Sequence, residues 1–223
     1  MKLGVLFSGG KDSTLATYLT KEKGHEIACL ITIFSKNKES YMFHIPSISK
    51  TKHQAEAMDI PLMVHETEGE KEEELTDLEE AIKEAREKFN IQGIVTGAVA
   101  SVYQASRIQK ICDELDLECI NPLWEKPQVE VLNELIKNNF EVIVIGISAY
   151  PLEKEWIGRK IDENFVKEIK ELNDKYKINP AGEGGEFESF VLNCPLFKKG
   201  LEVKSYEDFP EGKNSWRREI EVE

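Results

Sequence analysis

Six consecutive residues near the amino end, Ser8-Gly9-Gly10-Lys11-Asp12-Ser13, combine the side chains and the backbone freedom needed to hold an anion. Two adjacent glycines let the chain turn tightly and bring successive N–H groups close to a charged ligand. An apolar run precedes them and a helical pattern follows, so the turn opens a helix. Unpaired N–H groups and the positive end of the dipole favour phosphate there. The hydroxyls of Ser8 and Ser13 can donate to phosphate oxygens, and Lys11 supplies charge. Asp12 is at odds with an anion unless it holds Mg2+ or orients a neighbour. The spacing is not that of the nucleotide loop GxxxxGK[ST]. A capped Gly-rich turn would explain the glycines alone, but not the whole set in a strand–loop–helix setting.

The stretch Asn179 to Ser189, NPAGEGGEFES, is the second unusual one. Pro180, Gly182, Gly184 and Gly185 predict a sharp loop. Alternation beyond it places Glu186 and Glu188 on one strand face with Phe190 and Leu192. Burying two carboxylates on such a face is costly without a cation, and Glu183 can join them across the Gly-Gly turn. Three carboxylates beside a nucleotide could hold Mg2+, bind ammonium, or take a proton from attacking ammonia. Charges guarding a sheet edge make the same pattern, and the residues alone leave these readings level. Gly97-Ala98, after a short apolar run, would let a ribose or adenine approach a sheet edge; a tight turn explains it equally.

The elements that must position these residues follow from periodicity. Strands are predicted over Lys2–Phe7, Ile27–Phe34, Pro61–His65, Gly93–Thr96 and Glu118–Ile120. Helices alternate with them, one with Leu75, Leu78, Ile82, Ala85 and Phe89 at helical spacing. Repeated strand–helix units with short links imply a Rossmann-like parallel sheet with helices on both faces. Such sheets bind ligands beyond the carboxyl ends of their strands, where strand order reverses. Past Pro122 the texture changes: helix Val129–Asn138, strand Val142–Ile147, helix Asp162–Tyr176, then β-structure over Glu186–Leu192, Leu201–Tyr206 and Trp216–Val222. An α/β nucleotide-binding domain over 1–121 and a smaller mixed α/β lobe over 122–223 are expected.

Composition narrows the function classes. The net charge of −13 disfavours nucleic acid as a partner, since phosphate contacts demand a basic face. No apolar run reaches the ~18 residues needed to span a bilayer, and the first residues lack a signal-peptide pattern. A cytoplasmic location with no membrane partner is expected. Cys29, Cys112, Cys119 and Cys194 have no CxxC pairing, which suggests free thiols rather than a zinc site.

Six segments together carry a family resemblance: SGGKDS, YMFH (Tyr41–His44), GAVASVYQASR (Gly97–Arg107), NPLW (Asn121–Trp124), WIGRKID (Trp156–Asp162) and NPAGEGGEFES. The first resembles the pyrophosphate loop of the ATP pyrophosphatases. The set, spanning nearly the whole chain, resembles the diphthine–ammonia ligase family. One departure is Ser189, where the family pattern has Thr; the hydroxyl is kept. The resemblance implies an adenine nucleotide alpha hydrolase-like fold with ATP and Mg2+. It also implies amidation by ammonia of diphthine on translation elongation factor 2, through an acyl-adenylate, giving diphthamide, AMP and pyrophosphate. Ser8, Gly9, Gly10, Lys11, Asp12, Ser13 and Gly97 would then bind nucleotide, with Asp12 also placing Mg2+. Asp12, Glu183, Glu186 and Glu188 would be catalytic. His44, Tyr103, Arg107 and Trp124 are candidates for substrate contact, with Trp156 as a further aromatic surface and Arg159-Lys160 as further cations. Homo-oligomerisation is left open. The rival readings are a tRNA-modifying enzyme using the same loop, and an adenine-nucleotide sensor without turnover.

Overall fold

The computed structural model describes residues 1–35, 48–68 and 73–223. The first half alternates strand and helix: β1 (Lys2–Leu6), α1 (Lys11–Glu22), β2 (Glu26–Ser35), α2 (Thr51–Met58), β3 (Leu62–Thr67), α3 (Glu73–Phe89), β4 (Gly93–Val95), α4 (Val102–Glu114) and β5 (Glu118–Ile120). The five strands are parallel, in the order β3-β2-β1-β4-β5. Strands β1, β2 and β4 are short apolar runs, buried on both faces as parallel strands require. Order reverses between β1 and β4, which places the crevice above the carboxyl ends of those two strands.

The second half contributes α5 (Gln128–Lys137), β6 (Glu141–Ile147), α6 (Glu163–Tyr176), β7 (Phe187–Asn193), β8 (Val203–Gly212) and β9 (Ser215–Val222). These strands form a separate antiparallel sheet in the order β7-β6-β9-β8. The hairpin β8–β9 runs further than the apolar pattern predicts. Charged pairs extend it, with Arg218 gripping Asp208 through two bonds of 2.6 and 2.9 Å. Pro210 is tolerated in β8 because that strand lies at the sheet edge.

Helices cover both faces of the parallel sheet. On one face, α3 and α4 bury Leu78, Ala81, Ile82, Ile108 and Ile111 against Ile31, Ile33 and Ile94. On the other, α1 and α2 share a core with the second half. Leu3, Val5, Leu15 and Ala55 belong to the same cluster as Val131, Val144, Phe165, Phe187 and Val191. Each fully buried aliphatic or aromatic side chain stabilises by roughly 1.5–3 kcal/mol, so much of what stabilises each half is contact with the other. A third cluster, including Ile143, Ile145, Phe190 and Ile220, backs the antiparallel sheet. The cysteines are free, with Cys29, Cys112 and Cys194 buried. No helix among the described residues is long and apolar enough to cross a membrane.

Candidate active site

The chain leaves β1, passes Ser8-Gly9-Gly10 and enters α1 at Lys11. Gly9 has φ of +78°, a conformation open to glycine and strained for other residues. Gly10 is the N-cap of α1 and supplies no capping side chain; Lys11 N is taken by Ser189 Oγ at 3.1 Å, so the N–H groups that follow it in the first turn are the ones an anion could use. The loop is knitted to itself: Ser8 N and Ser8 Oγ lie 3.3 and 3.2 Å from Ser13 Oγ, and Thr14 Oγ1 donates to Gly10 O at 2.8 Å. Lys11 is 4% exposed. Its Nζ donates to Asp12 Oδ2 at 2.7 Å and lies 5.3 Å from the Phe187 ring centroid. Asp12 Oδ1 is buried with no hydrogen-bond partner among the described residues.

Gly97, at the end of β4, meets this loop directly. A Cβ there would stand 2.7 Å from Ser13 N and 2.8 Å from Asp12 C. Its smallness serves the packing of two backbone segments, as well as the cavity it helps to line. Thr96 holds the same corner, donating to Asn121 Oδ1 and accepting from Ala98 N at 3.1 Å.

From the second half, the turn before β7 reaches over the crevice. Glu183 Oε2 accepts from Ala100 N at 3.2 Å, across the two halves. Burial raises the Glu183 carboxyl above its ordinary range, with Asp12 adding repulsion. Glu188 is half-buried and lines the cavity. Burial pushes it up to about 7 against the pull of Lys11, with Asp12 and Glu183 adding to the rise. Glu186 behaves differently. It falls one residue before β7 and its carboxylate turns back into its own loop. There it accepts from Asn179 N at 2.8 Å, Asn179 Nδ2 at 2.7 Å and Gly184 N at 2.8 Å. A side chain on Gly184 would strike that carboxylate, at 2.9 Å from its Oε1.

These parts enclose a cavity of about 410 Å3. Ser8, Asp12 and Ser13 line one end, Gly97, Ala98 and Ser101 a side, and Glu183 and Glu188 the overhang, while Ile31, Ile33, Leu78 and Ile108 form an apolar wall. Among the described residues the lining holds three carboxylates and no cationic side chain, with Lys11 beside it, so the cavity favours a cation or a metal-bound polyphosphate over a bare anion. The group His65, Asp77 and Glu80, whose ligand atoms lie within 4.8 Å of one another, stands apart from this cavity's lining.

A diphthamide synthase N-terminal domain model matches residues 1–119, and the corresponding C-terminal domain model matches 126–221. The chain is similar to the diphthine–ammonia ligase of Rattus norvegicus, 34% identical over 226 residues, and to that of Homo sapiens, 33% over 226. Both alignments cover 93% of this chain and 84% of the relative. The chain belongs to the diphthine–ammonia ligase family. It also matches the Schizosaccharomyces pombe member, 31% identical over 217 residues, covering 90% of this chain and 36% of that longer protein.

Against this ligase family's motifs, the residues singled out in the sequence fall into three groups. Ser8, Asp12, Ser13, Gly97, Glu183 and Glu188 line the cavity, whereas Gly9, Gly10, Lys11 and Glu186 stand behind that lining. Tyr103, Arg107 and Trp124 are absent from its lining. Arg107 stacks on Tyr103, its guanidinium 3.4 Å from the ring centroid and its Nη1 donating to Tyr103 O. Trp156 is a core residue at 6% exposure, and Arg159 lies over its ring while pairing with Glu168 at 2.8 and 2.9 Å. Lys160 lies 3.9 Å from Glu141. His44 is outside the described residues. Ser189 and Gln54, which touch the phosphate loop, carry no chemical signal of their own in the sequence. The hydroxyl retained at Ser189 was the one available hint.

Proposed function

We propose that this ligase uses the cavity between its phosphate loop and acidic turn to activate the diphthine carboxylate of translation elongation factor 2 with ATP and pass it to ammonia. The observation that supports this best is a single cavity lined at once by Ser8, Asp12 and Ser13 from one half and by Glu183 and Glu188 from the other. The N–H groups at the start of α1, with Lys11, hold the β and γ phosphates. The apolar wall of Ile31, Ile33 and Ile108 takes the adenine. Mg2+ fits the loop, because Asp12 offers a buried carboxylate oxygen that no group among the described residues uses. One such ligand suffices for an ion that otherwise keeps phosphate oxygens and water. When bound, the metal neutralises charge on the pyrophosphate leaving group.

The chain's own residues then act in sequence. Lys11 and the loop orient the triphosphate so that a diphthine carboxylate oxygen attacks the α-phosphorus. The P–O bond to pyrophosphate breaks and an acyl-adenylate forms. Positioning and charge neutralisation carry most of such a step. Glu183 and Glu188 hold the incoming nitrogen; bound as ammonium, it first gives one proton to the Glu183 carboxylate and then reacts as ammonia. As nitrogen bonds to the acyl carbon and AMP departs, one proton leaves nitrogen for the Glu188 carboxylate. A carboxyl that titrates at about 7 exchanges protons readily at neutral pH. Glu186 serves by keeping the turn in shape. A protein substrate of this kind places the reaction in the cytoplasm.

The test is incubation with Mg·ATP, ammonium and elongation factor 2 carrying diphthine. AMP, pyrophosphate and conversion of one carboxylate to carboxamide, read by intact mass, are expected. ATP bound and never cleaved would point to a nucleotide sensor. AMP released on addition of tRNA alone would point to a tRNA-modifying enzyme.

A further inference from the structure

The phosphate loop is held from outside its own domain. Val191 N, in β7, donates to Gly9 O at 3.1 Å. The amide of Gln54, in α2, donates through Nε2 to that same Gly9 O at 2.9 Å and to Val191 O at 2.8 Å. Two residues earlier on β7, Ser189 Oγ accepts from Lys11 N at 3.1 Å. Ser189 O would stand 3.3 Å from a Cβ on Gly10. The second half thus grips Gly9, Gly10 and Lys11 in turn, and Gln54 locks the junction from behind.

The orientation of Gln54 follows from chemistry, because both its partners are carbonyls and only an NH2 group can satisfy them. Gln54 is fully buried, yet its Oε1 has no partner among the described residues. Leaving a buried acceptor unsatisfied costs on the order of 1–3 kcal/mol, a cost that the double donation must offset. That same Oε1 would lie 2.3 Å from a Cβ on Gly9, so Gln54 also enforces the glycine.

We infer that Ser189 and Gln54 are positioning residues for the phosphate loop, which takes its anion-binding shape from β7 as well as from its own glycines. This rests on the proposed role of that loop in binding ATP. Ser189 follows Glu188 directly, so the grip also fixes how far the proton acceptor stands from the phosphates. Lys11 N, held by Ser189, keeps the first turn of α1 aimed into the crevice.

Equilibrium binding of Mg·ATP tests this without the protein substrate, using calorimetry on the full chain alongside thermal unfolding without nucleotide. Ser189→Ala should weaken ATP binding by about tenfold, the scale of one lost hydrogen bond to a positioned group. Any fall in its unfolding midpoint should leave the chain fully folded at the temperature of the binding measurement, and Ser189→Thr should restore affinity. Gln54→Met, which keeps volume and removes both donations, should likewise weaken binding beyond any change in stability. A lowered midpoint with unchanged affinity in both Ser189→Ala and Gln54→Met would make them merely structural and sink the inference. An unsubstituted chain that binds no Mg·ATP would overturn the phosphate-site reading itself, and this inference with it. Binding by the unsubstituted chain that equals that of both variants would overturn the positioning role alone.

Discussion

Two glutamates two residues apart in one motif have opposite surroundings. Glu186 has three donors and holds a turn; Glu188 lines a cavity with Asp12 and Glu183 and feels their charge. The sign of the resulting pH dependence is fixed. In the unfolded chain Glu188 loses its proton near its ordinary 4.5, and in the fold at about 7. Between those values the folded state holds the extra proton, so stability falls as pH rises across that window, and the penalty is complete above it. Glu188→Gln should therefore stabilise the nucleotide-free protein above pH 7 by on the order of 1–3 kcal/mol. The gain should vanish towards acid pH. Urea unfolding across pH reads it, and a gain independent of pH would contradict this account. In the same variant ATP binding should survive while amide formation fails.

At the scale of elements, the site is a junction of three backbone segments: the phosphate loop, the end of β4 and the start of β7. Gly97 shows how close the first two are. Its neighbours there are backbone atoms of Asp12 and Ser13, which cannot swing aside as a side chain could. Gly97→Ala should displace the loop, lower stability by roughly 1–3 kcal/mol and weaken Mg·ATP binding more than tenfold or about that. Calorimetry and urea unfolding measure the two effects; an alanine that leaves both intact would mean the loop has slack. Strand and helix types across the chain were legible, because buried parallel strands are continuous apolar runs and α3 repeats its apolar residues with helical period. The extent of β8 was not, since cross-strand ion pairs rather than apolar alternation sustain its far end.

Across the whole molecule, the proposed 1–121 and 122–223 lobes share one hydrophobic cluster. Phe165 sits inside it with no exposure, its ring centroid 5.2 Å from Trp156 and 5.5 Å from Phe187. Phe165→Ala should cost about 3–5 kcal/mol. With or without the substitution, the chain should unfold in one cooperative step. All three tryptophans, Trp124, Trp156 and Trp216, report on the second lobe, whereas helix ellipticity reports on both. Coincident fluorescence and ellipticity transitions are expected, and two separated transitions would show that the lobes are independent.

The amino-acid sequence by itself determined the glycine turn that opens α1, the order and kind of the elements, and the acidic character of the motif ahead of β7. Those properties depend on local backbone freedom and on side-chain period. Only the tertiary structure decided which carboxylate enters the cavity and which braces a loop. It alone brought Ser189 to Lys11 across 178 residues and Gln54 to Val191 across 137. The physical reason is that Glu186 falls just outside β7, where donors on Asn179 and Gly184 capture its carboxylate, whereas Glu188 lies within the strand and is aimed by its pairing with β6. That pairing joins segments distant along the chain.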